Sequence, residues 1–235
     1  MCTVSLLPIL AENNGFILTS NRDEAAEREA ISPDFYSEND IKMLYPKDKL
    51  AGGTWIGLSE QKRLICLLNG EFKPHIRESN YRLSRGVVVK DLLAAVKIDE
   101  AVENYNLNNI EPFTIVAVDW NSSLRFMELV WDGKTKHFKD LALKPHIWSS
   151  SPLYSIEMKK SRETWFQDFQ QKNMLDSESL WKFHTSAGIG DTNMDVIMDR
   201  GFVKTQNITQ VEKISEEINM RFMDLKDQEI IKKEF

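Results

Sequence analysis

Most apolar residues of the chain are grouped in short runs separated by polar turns, a pattern typical of β-strands. Apolar residues dominate 3–10 and 16–20, and the polar Glu12–Gly15 between them has the chemistry of a turn. These two runs predict a β-hairpin. A second hairpin is predicted for 55–58 and 63–68, which flank another short polar stretch.

Other apolar runs lie in the middle and at the end of the chain. They predict strands at 113–120, 124–131, 207–214, 219–225 and 229–235. The segment 25–50 is instead polar and charged, and it predicts a long loop with little regular structure.

Three segments follow the helical period instead. Residues 84–96 predict a helix with Ser84 as its N-cap, 99–106 predict a short second helix, and 156–172 predict a longer third one. The residues predicted to face the core are Val88, Leu92, Ala95 and Val96 in the first helix and Ile156, Trp165 and Phe169 in the third.

The order of these elements indicates the fold class. Runs of strands are segregated from runs of helices, which favours an α+β fold with antiparallel sheets over a parallel, doubly wound sheet. We therefore predict two stacked antiparallel sheets with helices outside. No repeat or linker divides the chain, so residues 1–235 are predicted to form a single domain.

Composition narrows the choice of function and compartment. Thirty Lys and Arg against 36 Asp and Glu give a net charge of −6, which argues against nucleic-acid binding. Two cysteines cannot form a disulfide framework, and neither they nor the four scattered histidines predict a metal site. No run of 18 apolar residues predicts a membrane span, and no secretory signal is recognised, so a cytoplasmic protein is expected.

The position of Cys2, directly after the initiator methionine, raises a chemical hypothesis. Removal of Met1 would give Cys2 a thiol and a free α-amine, whose pKa near ~8 lets it accept the thiol proton. Arg22 and Asp23 end the second strand of the first hairpin, so they return to the region of residue 2. An aspartate there can hold an ammonium group, and an arginine can lower a thiol pKa. The alternatives are an incidental cysteine and a solvated charged turn.

Several short motifs together resemble a known family. The stretches MCT, SNRDE, AGGTWIGLS, LLNG, SRG before a helix and WSSSPLY occur in this order from residue 2 to at least Lys204. They resemble the NRDE family, also called the transport and Golgi organisation protein 2 family. The resemblance implies a branch of the N-terminal nucleophile hydrolases with a four-layer αββα sandwich. It also implies kinship with penicillin V acylases and bile salt hydrolases, which cleave amides with an N-terminal cysteine.

The resemblance assigns roles to particular residues. Cys2 matches the nucleophile, and Asp23 matches the aspartate that holds the amine of the nucleophile. Arg22 is the nearest match to an arginine that the relatives place further before the aspartate. Asn69, in LLNG, matches an asparagine of the oxyanion hole, although it also fits a turn residue before Gly70.

Two further matches carry substitutions. Ser150 occupies a position where related sequences usually have asparagine, and a hydroxyl offers one donor instead of two. Lys204 replaces an arginine, so it keeps the positive charge and loses the planar fork. Asn21 and Trp55 are the predicted substrate-binding residues, although Trp55 fits a core position equally well.

Two functions of different classes follow. The first is a cysteine amidohydrolase that cleaves a linear carbon–nitrogen amide bond, with Cys2, Arg22, Asp23, Asn69, Ser150 and Lys204 as its catalytic residues. The alternative is a non-catalytic carrier of a hydrophobic ligand, because the resemblance links the family to haem trafficking and to lipid or acyl-CoA metabolism. Neither function predicts a bound cofactor, and the expected partner is a small N-acyl or hydrophobic molecule. The oligomeric state stays open.

Overall fold

The computed structural model describes residues 2–9, 15–78 and 80–235, with the backbone alone at residue 2. The strands in these ranges are β1 (Cys2–Ile9), β2 (Gly15–Ala25), β3 (Ala30–Glu38), β4 (Ile41–Asp48), β5 (Ile56–Ser59), β6 (Arg63–Asn69), β7 (Phe113–Asp119), β8 (Arg125–Trp131), β9 (Lys136–Leu141), β10 (His146–Ser149), β11 (Val203–Ile214), β12 (Glu217–Asp224) and β13 (Ile230–Glu234). The helices are α1 (Arg85–Ala94), α2 (Ile98–Asn104), α3 (Ile156–Lys172) and α4 (Ser177–Ser186).

The strands form two sheets, and each sheet belongs to one of two compact units. The first unit combines the described residues of 1–29 with 144–235 and contains a sheet of order β10-β1-β2-β11-β12-β13. The second unit, residues 30–143, contains a sheet of order β3-β4-β5-β6-β7-β8-β9. All strand pairs in the described ranges are antiparallel. The predicted α+β class with two antiparallel sheets is confirmed.

Both predicted hairpins are present. In the first, β1 pairs with β2 from Cys2↔Arg22 to Ile9↔Gly15. In the second, β5 pairs with β6, for example Ile56↔Cys66. Leu10 and part of the first predicted turn lie outside the described residues. Local alternation and turn chemistry were therefore enough to predict these pairings.

The predicted loop at 25–50 is wrong, because most of it forms strands β3 and β4. In β4 the run Met43–Tyr45 is buried, whereas most residues of β3 are exposed or half-buried. The strand β3 lies at the edge of its sheet, and charged residues are common on edge strands. The polar composition therefore concealed a regular element. Strands β9 and β10 and helix α4 were also missed.

The predicted helices are confirmed, but their ends differ from the prediction. Ser84 caps α1, accepting a hydrogen bond from the Gly86 amide, and the helix ends at Ala94. The guanidinium of Arg63 donates to the carbonyls of Leu92 and Ala95 at this end. As a result Val96 lies beyond the helix and is exposed, contrary to prediction. Similarly, Ile156 at the first position of α3 is exposed, not directed into the core.

Two glycines of the AGGTW and SRG motifs meet inside the second unit. A Cβ on Gly53 would lie 3.1 Å from the Gly86 Cα, and a Cβ on Gly86 would lie 3.0 Å from backbone atoms of Thr54. The first turn of α1 therefore packs directly against the backbone before β5. This contact gives both motifs a packing role.

Candidate functional site

The two faces of β2 have different surroundings. Side chains alternate along a strand, so Ile17, Thr19, Asn21 and Asp23 share one face. Ile17 packs with Phe166 of α3 and with residues of α4 in an apolar cluster, so this is the helix-facing side of the sheet. Arg22 and the other even-numbered residues belong to the opposite face. All of 16–23 is buried, which excludes the alternative of a solvated turn.

Asp23 is fully buried and accepts two hydroxyl hydrogen bonds. Tyr154 donates to Oδ2 at 2.5 Å, and Thr205 donates to Oδ1 at 2.7 Å. The Thr205 hydroxyl oxygen also accepts from the Met198 amide, and its proton has the better acceptor in Asp23, because the Val196 carbonyl lies further away at 3.4 Å. Burial raises the pKa of Asp23, while the charge of Arg162 and both hydroxyl groups act in the opposite direction. The surroundings therefore supply donors suited to a carboxylate.

Arg162 of α3 supports this network by packing its guanidinium against the face of the Tyr154 ring. Its guanidinium carbon lies 3.6 Å from the ring centroid, within the range of a cation–π contact. The same fully buried group donates to Thr3 Oγ1 and to the carbonyls of Met194 and Asp195. Burial raises the pKa of Tyr154 well above its ordinary value, so the phenol remains a donor. One side chain thus fixes both Tyr154 and the residue next to Cys2.

Asn21 joins β2 to α4. Its Nδ2 donates to the carbonyls of His184 and Val196 at 2.9 and 2.8 Å, so its Oδ1 must accept from His184 Nδ1 at 2.5 Å. His184 Nε2 then accepts from the Ser5 hydroxyl at 3.0 Å. Asn21 was predicted to bind substrate, and its side chain here holds the end of a helix. The substrate role stays a prediction.

The neutral state of His184 predicts an acid-sensitive fold. Burial, with a contribution from the charge of Arg162, lowers the pKa of His184 from 6.5 to about 3. Below pH 6.5 His184 is therefore protonated in the unfolded chain but stays neutral in the folded chain, so the free energy of unfolding falls as the pH falls towards 3. We expect His184 to lower the free energy of unfolding by about 2 kcal/mol between pH 7 and pH 5. Urea denaturation at both pH values measures this difference.

The matched control for that experiment is His137→Gln, because His137 is half-exposed and lies in the second unit. His184→Gln should remove much of the pH dependence, whereas His137→Gln should keep it. Equal pH dependence in wild type and His184→Gln would contradict the assignment.

The face of the sheet opposite the helices carries a polar row. The ladder places Arg22 opposite residue 2 on one side and opposite Asn207 on the other. Ser150 is the residue directly after β10, whose last ladder pair is Thr3↔Ser149, so it follows the end of β10 that is nearest to residue 2. Residue 2, Arg22 and Asn207 are in line on three neighbouring strands. Ser150 and Arg22 are buried, and Arg22 donates to the Arg28 carbonyl at 2.9 Å.

Lys204 lies at the same end of this sheet. It is half-buried and pairs with Glu24 across β11 and β2, one position beyond Thr205↔Asp23. The first unit therefore contains five of the six predicted catalytic residues at one end of one sheet: Cys2, Arg22, Asp23, Ser150 and Lys204.

The remaining predicted residues belong to the second unit. Asn69 is the last residue of β6, and the following Gly70 has a φ of 84°, so this position also has the geometry of a turn. Trp55 is buried just before β5. The participation of Asn69 and Trp55 in the same site stays a prediction. Cys66 is fully buried in β6, as expected of a strand residue in an apolar run.

Sequence reasoning gave no role to three residues around Asp23: its hydroxyl donors Tyr154 and Thr205, and Arg162, which contacts Tyr154. Tyr154 was part of WSSSPLY but received no role. Arg162 was available from the helical period, because Arg162, Phe166 and Phe169 have the spacing i, i+4, i+7 and are the buried residues of α3. A charged residue on an apolar helical face was the usable signal.

The fold is that of the N-terminal nucleophile hydrolases. Similar solved structures include a variant of conjugated bile acid hydrolase from Clostridium perfringens, with a TM-score of 0.58 and 12% identity over 99% of this chain and 92% of that one. Penicillin V acylase from Agrobacterium tumefaciens has a TM-score of 0.56 and 12% identity over 98% and 85%. The Caenorhabditis elegans ortholog of N-acylethanolamine-hydrolyzing acid amidase has a TM-score of 0.59 and 12% identity, over 92% of this chain and 93% of that one. These likenesses confirm the predicted fold type.

The family is shown by sequence. The model of the Transport and Golgi organisation 2 family matches residues 1–228, and the chain belongs to this family. A comparison with curated proteins gives no significant match. No helix within the described ranges has the length and apolar character needed to cross a membrane.

Proposed function

We propose that this chain is a cysteine N-terminal nucleophile amidohydrolase that cleaves a linear carbon–nitrogen amide bond. The observation that carries the proposal is the position and bonding of Asp23. It lies one residue beyond the ladder partner of residue 2, is fully buried, and has both carboxyl oxygens fixed by hydroxyl donors. Burial raises the pKa of Asp23, whereas the charge of Arg162 and the two hydroxyl donors oppose that rise and favour the carboxylate, the group needed to orient an amine.

In the proposed reaction, removal of Met1 gives Cys2 its free amine. The amine takes the thiol proton, and the sulfur attacks the amide carbon. Collapse of the tetrahedral intermediate breaks the carbon–nitrogen bond, and the proton passes to the leaving amine. Water then hydrolyses the thioester, which releases the acid and restores the thiol.

Other residues have supporting roles in this proposal. Asp23 orients the amine, and Arg22 favours the thiolate. Asn69 and Ser150 donate to the oxyanion, and Lys204 adds positive charge. Asn21 and Trp55 contribute to substrate binding.

The chemistry of similar proteins supports the choice of substrate class. The three solved structures belong, by name, to a hydrolase of conjugated bile acids, an acylase of penicillin V and an amidase that hydrolyses N-acylethanolamines. We infer an N-acyl substrate for this chain. Two cysteines without a disulfide framework fit a reducing compartment, so we place the protein in the cytoplasm.

The first test is selective reaction of Cys2. In protein without Met1, iodoacetamide should label Cys2 at least about ten times faster than Cys66, because only Cys2 would have a neighbouring base and cation. Cys66 is fully buried and serves as the internal control. Intact-mass measurement establishes whether Met1 is removed, and peptide mapping locates the label. Retention of Met1 would mean that Cys2 has no free amine to act as the base. Equal labelling of the two thiols would contradict an activated Cys2.

Turnover separates the enzyme from the carrier. Protein without Met1 should release dodecanoic acid from N-dodecanoyl amides, and Cys2→Ser should abolish the release. A protein that binds haem or an acyl-CoA but releases no acid from any N-acyl amide would establish the carrier function instead.

A further inference from the structure

Three polar side chains on adjacent strands have unusual surroundings. Ser20 of β2 and Asn207 and Thr209 of β11 are fully buried. Four of their side-chain atoms have no hydrogen-bond partner among the described residues: Ser20 Oγ, Asn207 Nδ2, Asn207 Oδ1 and Thr209 Oγ1. Such atoms are rare in native proteins, since an unpaired buried polar group is strongly unfavourable.

The ladder brings these side chains together. Thr209 pairs with Ser20, and Asn207 pairs with Arg22 two positions further along the same two strands, so both pairs share one face. Ser20 and Arg22 lie on the face of the sheet opposite α3 and α4. The cluster of Ser20, Asn207 and Thr209, called here the polar cluster, therefore lies on that face and shares Asn207 with the row that contains residue 2.

A β-bulge directs Asn207 to this face. The register of β11 against β2 shifts between Thr205 and Asn207. Thr205 points to the helix-facing side, where it donates to Asp23, while Asn207 pairs with Arg22. Bulges are over-represented beside active sites, where they re-aim a side chain.

The opposite face of the same strands provides a comparison. There, Gln210 donates to Thr19 and to the Ser177 carbonyl, both at 2.9 Å, and the Asn21 amide is bonded on both sides. On one face of these two strands the buried polar side chains named above have hydrogen-bond partners. On the other face, four atoms of the polar cluster have none among the described residues. The difference points to a ligand group.

The chemistry of the polar cluster defines that group. The two hydroxyls can donate or accept, whereas Asn207 presents an amide nitrogen that only donates and a carbonyl oxygen that only accepts, in either orientation of its amide. An anion would leave the Asn207 carbonyl oxygen without a donor. A cation would lie beside the guanidinium of Arg22, which pairs with Asn207 in the ladder. A neutral group that both donates and accepts, a hydroxyl or an amide, satisfies all three residues.

We propose that the polar cluster binds a neutral hydroxyl or amide group of the ligand. Adjacent strands are about 4.8 Å apart and two residues along a strand add about 6.8 Å, so the backbone positions of the polar cluster lie roughly 8–12 Å from residue 2. This proposal adds a substrate feature to the proposed function and rests on that function for the placement of the substrate. If the scissile amide lies at residue 2, the hydroxyl or amide group belongs to the part of the substrate near that amide.

The experiment uses binding, so that it does not depend on turnover. The probes are N-dodecanoylethanolamine and N-dodecanoylpropylamine, which differ by a hydroxyl in place of a methyl group. Binding to a Cys2→Ala background is measured by calorimetry. We expect the ethanolamide to bind about 10- to 100-fold more tightly, because a site built to pair a hydroxyl disfavours the analogue without it. Thr209→Val and Asn207→Leu should each reduce this preference about tenfold or more.

Thr19→Val is the matched control, because Thr19 is equally buried on β2 but faces the helices. It removes the acceptor of Gln210 and should lower the melting temperature without changing the ratio of the two affinities. Thr209→Val removes an unpaired hydroxyl and should leave the melting temperature unchanged or raise it. This pair separates ligand binding from general damage to the sheet.

The outcomes are distinct for the two proposals. Equal affinity for the two probes, no binding of either, or a preference that survives both polar-cluster variants would overturn the polar-cluster proposal. So would tighter binding of the anionic N-dodecanoylglycine. Hydrolysis by the Cys2 protein without a hydroxyl preference would sustain the proposed function alone. A hydroxyl preference without hydrolysis would sustain the polar cluster and reject the enzyme.

Discussion

Replacement of Asp23 by asparagine is expected to slow hydrolysis of an N-acyl amide by about 10²–10⁴-fold, the usual range for loss of positioned acid–base help. Asparagine has nearly the same shape, but it carries no charge to hold the amine. Its amide nitrogen would also meet a hydroxyl that donates in the native network, from Tyr154 or Thr205. The rate is measured with protein lacking Met1, as release of dodecanoic acid per minute.

Glu24→Gln provides the matched control for Asp23→Asn. Glu24 is the next residue of β2 and pairs with the partly exposed Arg28, so its neutralisation should change turnover by less than about threefold. Circular dichroism establishes that both variants fold. A folded Asp23→Asn protein with wild-type turnover would refute the role of Asp23.

Replacement of Arg162 by methionine should have the largest effect on stability. Methionine fills a similar volume, but it leaves the carbonyls of Met194 and Asp195 and the hydroxyl of Thr3 without their buried donor. It also removes the positive charge that opposes the rise in the pKa of Asp23. We expect the free energy of unfolding to fall by about 3–5 kcal/mol, as for other broken buried charge networks. Urea denaturation followed by tryptophan fluorescence measures the change.

Lys160→Met is the control for Arg162→Met on the same helix, because Lys160 is exposed. An exposed substitution of this kind should change stability by no more than about 0.5 kcal/mol. Arg162→Lys should fall between the two, since lysine keeps the charge and loses the planar fork. A loss below about 1 kcal/mol for Arg162→Met would show that the network contributes little.

Asp23→Asn and Arg162→Met separate a residue proposed to act in the reaction from one that supports the site. Asp23 lies next to the ladder partner of residue 2, whereas Arg162 acts through Tyr154 and Thr3. If the proposed function is correct, Asp23→Asn lowers kcat in a protein that remains folded. Arg162→Met lowers stability first, and what turnover remains should shift in pH dependence because the pKa of Asp23 rises.

The sequence by itself determined the strand pairing within hairpins and the class of fold. The pairing of β1 with β2 and of β5 with β6 follows from alternation and turns within about twenty residues, which are local properties. The same reasoning placed Arg22 and Asp23 at the end of β2, near residue 2. It failed for β3, because polar residues on an edge strand resemble a loop when the sheet is not known, and for β4, an inner strand whose short buried run 43–46 lies between charged residues.

Only the tertiary structure decided which polar residues are buried and which of them have partners. Asp23 bonds to Tyr154 and Thr205, 131 and 182 positions away in the sequence. A buried carboxylate is stable only when donors form hydrogen bonds with it. Here the donors are distant in the sequence, so no local pattern predicts these contacts. The bulge that turns Asn207 to the face of Ser20 likewise depends on the register between two distant strands.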